Sequence, residues 1–231
     1  LKNIETLYLN NRGENVHYGL LTDFTDADTQ TAPSDDRLLG LCRIGINRLN
    51  AKYPEDGGDN FFLFHRPRVW NETDKIWMGR ERKRGKLEDL NRYLLDGNLS
   101  PFSLVEGRTR ALTGVRYVIT LDADTQMARD SAWQMVGAMA HPLNRPQYDE
   151  RFGRVTAGKG ILHPRVESTL AGASRTRSAR MSAHELGIDP YTLASSDVYQ
   201  DLFDQRSFIS KGIYEVKAFA RALGGDFPDK Q

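Results

Sequence analysis

The sequence predicts an α/β fold, a mostly parallel sheet with helices on both faces, and three observations carry that expectation. Short apolar runs of strand length alternate with longer segments of helical periodicity, the pattern of strand–helix–strand units. The chain has 231 residues, 39% of them hydrophobic and 27% charged, enough for one real core and a single domain over 1–231. An apolar strand, VRYVITL, also runs directly into Asp122-Ala123-Asp124. In open sheets of this class ligands sit beyond the carboxyl ends of strands.

Each element has its own local reason. Val16 to Thr22 reads as a strand that delivers Asp23, and Asp35 to Tyr53 carries Leu38, Leu39, Cys42, Ile46 and Leu49 at helical spacing. Asn60 to His65 is a second strand, followed by a basic, aromatic loop through Trp70 and Trp77. A helix is expected from Lys86 to Leu95, closed by Gly97, Asn98 and Pro101. The strand Arg116 to Leu121 precedes the two aspartates, and a helix from Asp130 to about Ala140 stops at His141-Pro142. Arg154 to His163 holds another strand. Gly212 to Leu223 reads as helical before Gly224-Gly225, and 165–197, rich in Ser, Ala and Arg, has no clear assignment.

Composition excludes several classes. With 32 basic and 31 acidic residues the net charge is +1, so no global field recruits nucleic acid. Cys42 is the single cysteine, which rules out an intramolecular disulfide and reads as a small core residue. No apolar run reaches the ~20 residues of a membrane span. The five histidines are scattered and assert no metal site. The chain opens on Leu1 rather than Met, which predicts a domain excised from a longer protein.

Asp122 and Asp124 lie at the spacing that lets two carboxylates past a strand end reach one Mg²⁺ or Mn²⁺ through oxygen. A bare Asp-x-Asp is equally a turn closing a strand, and both readings stand on the spacing alone. DADTQ occurs twice, at Asp26–Gln30 and Asp122–Gln126, without a wider repeat. Between Trp77 and Asn91, the cations Arg80, Arg82, Lys83, Arg84 and Lys86 surround Gly85 at a loop-to-helix transition. Cations and free amides at a helix start attract phosphate. Ser207 to Gly212, SFISKG, could wall a sugar pocket.

These blocks resemble the glycosyltransferase family 84 domain of cyclic β-1,2-glucan synthases. The resemblance spans nearly the whole length through HYGLLTDFTDA, FFLFHRPRVWN, WMGRERKRGKLEDLNR, RYVITLDADTQ, AHPLNRP, GILHPRV, VYQDLF and SFISKGIYEVKAF. It implies a GT-A fold akin to the donor half of cellulose-synthase-like enzymes, and inverting, metal-dependent transfer from UDP-glucose to a β-1,2-glucan acceptor. It places Asp23 at the uracil, and Lys86, Asn91 and, as a helper, Arg84 at the diphosphate. Lys83 is a further helper. Asp122 falls near the sugar or ribose, Asp124 and Asp122 at the metal, and Ser207, Lys211 and Gly212 on the sugar and acceptor side. It also implies a soluble domain on the cytoplasmic face of the bacterial inner membrane, joined to the remainder of a polytopic synthase.

Departures from that pattern are equally specific. Asp204-Gln205-Arg206 stands where glycines are expected, the chain opens after the family's first strand, and it ends before the catalytic base and acceptor motifs. The catalytic residue is therefore unassigned, and the isolated chain is expected to be inactive in synthesis. Two other classes remain. A carbohydrate- or partner-binding module would use Trp70 and Trp77, and a haloacid-dehalogenase-like phosphatase would use Asp122, although Gln126 stands where that class wants Thr or Val.

Overall fold

The computed structural model describes residues 1–55, 58–164, 176–177 and 211–222. Ser207, the family-specific 204–206 segment and Gly224-Gly225 lie outside these residues. The described chain is mixed α/β, with four small sheets in place of the expected single one. Among the described strands one pairing is parallel, β1 (Tyr18–Asp23) on β2 (Phe61–Arg66), and the other sheet pairings are antiparallel. β5 (Leu104–Glu106) follows helix α3 (Arg82–Asp96) by seven residues and runs antiparallel to β2.

β2 shows why this sheet is covered on both sides. All six residues of FFLFHR are buried, and period-2 alternation divides them between two cores. Phe61 and Leu63 pack with Ile4, Tyr8, Tyr18, Ile46 and Leu49, on the side covered by α1 (Lys2–Asn10) and α2 (Asp35–Lys52). Phe62 and Phe64 pack with Leu90, Phe102 and Leu112 on the side of α3. Cys42 is partly buried against the first of these cores.

The second three-stranded sheet has β10 (Gly212–Glu215) between β6 (Tyr117–Thr120) and β9 (Ile161–Leu162), both antiparallel to it. The helix expected from Gly212 is thus a strand first, and α5 (Val216–Ala222) follows it. GIYE is short, and pairing with β6 on one side and β9 on the other decides its form. The loop carrying Trp70 and Trp77 is likewise a hairpin of β3 (Val69–Asn71) and β4 (Ile76–Met78), its turn tied by Asn71 Oδ1 accepting from the amides of Thr73 and Asp74. α4 (Ser131–Ala140) and the antiparallel pair of β7 (Gln147–Asp149) and β8 (Arg154–Ala157) complete the set. Among the described residues no helix is long and apolar enough to cross a membrane.

α3 is wedged between the two larger sheets. Leu90 and Tyr93 on one side join the β2 core, while Leu94 also packs against Tyr214, Val216 and Phe219 around β10. Lys86 heads the first stripe at positions 86, 90 and 93. Lys83 heads the second at 83, 87, 91 and 94.

Candidate functional site

The parallel register of β1 and β2 places Thr22 beside His65 and Asp23 beside Arg66. Successive residues face opposite sides, so these two pairs separate. On the α2 side, Thr22 Oγ1 lies 2.8 Å from His65 Nδ1 and the Phe24 ring packs edge-on against His65. Burial lowers the His65 pKa and keeps the imidazole neutral. On the α3 side, Arg66 Nε donates to Asp23 Oδ1 at 2.9 Å and a terminal nitrogen to Asp23 Oδ2 at 3.2 Å.

Arg66 also organises the chain that leads into α3. It donates to Asp89 at 2.6 Å and to the carbonyls of Arg80 and Arg82 at 2.8 and 3.1 Å, with a side chain only 3% exposed. Glu81 and Arg82 both have positive φ, 50° and 47°, and this buried guanidinium holds them there. Two glycines make room. A Cβ on Gly79 would lie 2.5 Å from the Asp23 carboxylate, and one on Gly85 would lie 2.1 Å from the Arg80 carbonyl oxygen. The helix accordingly starts at Arg82, four residues before the expected Lys86.

The first turns of α3 then reach both sheets. Lys86 Nζ is 3.4 Å from Asp23 Oδ2, while Lys83 Nζ pairs with Asp122 Oδ1. The other oxygen of Asp122 pairs with Lys211 Nζ at 3.2 Å. Lys211 arrives there by register, since Gly212 is paired with Thr120 and Lys211 therefore lies opposite Leu121, one residue before Asp122. Gly212 has φ 149°, and a Cβ there would meet the Leu162 carbonyl oxygen at 2.5 Å, so glycine is required beside Lys211. Burial pushes the Asp122 carboxyl up, but hydrogen bonds from Lys83 and Lys211 outweigh it and hold the carboxyl below its ordinary value.

The remaining sequence-predicted residues are less central. Asp124 is exposed in the turn after Asp122. Arg84 donates to Glu81 at 2.5 Å, in the same helix start. Asn91 is buried, and its Oδ1 accepts from the Tyr214 hydroxyl at 2.7 Å, so it braces β10 against α3 from within. Trp70 and Trp77 form a cross-strand pair with centroids 5.8 Å apart, Trp70 being 40% exposed.

The donor set for a divalent cation is not ready-made. Both oxygens of Asp122 carry ammonium partners, and among the described residues no three Asp, Glu, His or Cys side chains converge. The described arrangement therefore does not fit a bound Mg²⁺ or Mn²⁺ as it stands.

Sequence reasoning missed four contributors. Arg66 and Asp89 form the buried frame just described. Arg68 does the same for the first DADTQ loop, bonding the carbonyls of Thr25 and Gln30 and both oxygens of Asp35. Helix α1 fixes the second DADTQ loop. Asn3 donates to the carbonyl of Ala123, Asn10 to that of Met127, and Asn11 accepts from the Ala132 amide. The available signal was a pair of arginines two residues apart leaving an otherwise apolar strand, HRPR, since buried arginine demands acidic partners. The two DADTQ copies also converge, for Asp26 pairs with Arg82 at 2.7 Å and Asp122 with the adjacent Lys83.

No family model matches the chain. A cyclic β-(1,2)-glucan synthase of Rhizobium meliloti (strain 1021), NdvB, is 42% identical to it over 224 residues, 96% of this chain. This chain is related to one segment of that synthase. It spans only 8% of the synthase's length. The relationship covers β1, the α3 start, the Asp122 loop and Lys211 within one matched stretch.

Proposed function

We propose that this chain is the sugar-nucleotide-binding part of a glucosyltransferase that elongates β-1,2-glucan from UDP-glucose with inversion. The observation that carries the reading is the convergence of Lys83, Lys86 and Lys211 on Asp122 and Asp23, at the carboxyl ends of strands from two sheets. Such a crevice is where an α/β protein receives a nucleotide. Relationship to a cyclic β-(1,2)-glucan synthase supports a glucan as the product. A GT-A-like organisation belongs to the same proposal, as does attachment to a polytopic synthase at the cytoplasmic face of the inner membrane.

In this reading Asp23, oriented by Arg66, meets the base, and Lys86 with Lys83 and Lys211 takes the diphosphate. Arg84 supports the helix start, and Asn91 keeps α3 and β10 in register. When the acceptor's 2-hydroxyl attacks the anomeric carbon, negative charge grows on the departing UDP, and the ammonium groups stabilise it. Contacts of this kind typically contribute about 3 to 4 kcal/mol each in a transition state.

Calorimetric titration of UDP-glucose tests the reading. The wild-type chain is expected to bind, and Lys86→Ala to bind at least tenfold more weakly with unchanged circular dichroism. Equal affinity in the two proteins would contradict it. A carbohydrate-binding reading rests on the Trp70–Trp77 pair. It would be favoured if a β-1,2-glucan oligomer bound, Trp70→Ala abolished that binding, and UDP-glucose did not bind.

A further inference from the structure

Trp70 and Trp77 take no part in the nucleotide site, and neither packs into the three hydrophobic cores of the described residues. Cross-strand pairing sets them on one face of the β3–β4 hairpin, with ring planes inclined at 60° and Trp70 largely open to solvent. The pair is nonetheless held from several sides. Glu72 accepts from Lys75 Nζ at 2.8 Å, and Lys75 and then the neighbouring Trp70 side chain hold the Glu72 carboxyl below its ordinary value, so the indole N–H is turned toward that carboxylate. Along the backbone, Trp77 exchanges hydrogen bonds of 2.9 and 3.0 Å with Ala27, in the loop that Arg68 fastens through the carbonyls of Thr25 and Gln30. Two residues after Trp77, Gly79 lies against the Asp23 carboxylate. The hairpin is therefore a firm extension of the wall of the nucleotide crevice, carrying an exposed aromatic face that serves no core.

We propose that this face of the hairpin is a stacking site for a neutral β-1,2-linked glucan chain, held outside the nucleotide crevice and in fixed relation to it. The class of ligand rests on the reading of the chain as part of a glucosyltransferase, while the place rests on the hairpin's own geometry. A β-glucopyranose presents apolar C–H faces that pack on an indole, and a rim of hydroxyls that a carboxylate such as Glu72 can accept from. A tryptophan with a fixed ring supplies that contact area at low entropic cost. The inclination of the two rings sets the linkage. A flat ribbon such as a β-1,4 chain stacks on coplanar rings, whereas rings inclined at 60° receive a chain whose successive sugars are turned relative to one another.

Saturation-transfer NMR and tryptophan fluorescence titration of the full 231-residue chain with a linear β-1,2-glucan oligosaccharide, in EDTA and without UDP, test this. The wild type is expected to bind, with an affinity that added salt leaves unchanged because the ligand is neutral, and at least fivefold more tightly than it binds a β-1,4 oligosaccharide of the same length. Trp70→Ala is expected to weaken binding at least tenfold with unchanged circular dichroism, and Trp70→Phe, which keeps a ring, to weaken it by much less. Absence of glucan binding in the wild type, equal affinity of Trp70→Ala, or equal affinity for the two linkages would each overturn the proposal. Failure of UDP-glucose to bind a wild type that still binds the glucan through Trp70 counts against the sugar-nucleotide reading and leaves the stacking site standing.

Discussion

Arg66 makes five hydrogen bonds from a side chain that is almost wholly buried, and its two acidic partners, Asp23 and Asp89, are nearly as enclosed. Replacing one member of such a set leaves the others charged and unpaired in the interior. Arg66→Met is expected to cost about 3 kcal/mol or more, measured by urea unfolding. Arg82→Met, which breaks the solvent-exposed pair with Asp26, is expected to cost less than about 1 kcal/mol. Equal effects would mean that Arg66 is not the frame of the α3 start. At this scale the sequence was partly legible. Asp23, Lys86 and Asp122 stand out because each follows a strand or opens a helix. Arg66 does not, since an arginine after four apolar residues and a histidine resembles a solvated strand end, and only the parallel register with Asp23 reveals its task.

The start of α3 is the element on which the site depends. Its first turn is charged and glycine-containing, so periodicity reads it as loop, and the helix is expected only from Lys86. The structure extends it to Arg82 because Arg66 binds the carbonyls of Arg80 and Arg82 and because Gly85 admits the Arg80 carbonyl at close range. Gly85→Ala forces a Cβ against that backbone oxygen. It is expected to destabilise by about 1 to 3 kcal/mol and, by turning Lys83 and Lys86 away, to weaken UDP-glucose binding in calorimetry more than a distant substitution of equal stability cost. Unchanged stability and affinity would show that the close approach is not needed. Other elements were legible to within a few residues, notably β1, β2, β6 and helices α2 and α4, whose periodicity is unambiguous. β10 was not, because its four residues run without a break signal into the helix, and tertiary pairing sets the boundary at Val216.

At the scale of the whole molecule, strand-and-helix alternation gave the α/β class but overstated the parallel sheet. Alternation counts elements and does not see strand direction, and β5, which follows α3, runs antiparallel to β2. Asp23 and Asp122, each at or just past a strand end, are paired in the structure with two lysines three residues apart on a helix wedged between the sheets. Relationship to a cyclic glucan synthase over 96% of the chain is consistent with one contiguous segment carrying all of these parts. The measurement that bears most directly on the central claim is hydrogen–deuterium exchange of the chain with and without UDP. Slowed exchange together in residues 79–86, 119–124 and 211–215 is the expected result, since a diphosphate between the three lysines must order all three segments. Protection confined to the 69–78 hairpin, or none in any of the three, would contradict the account.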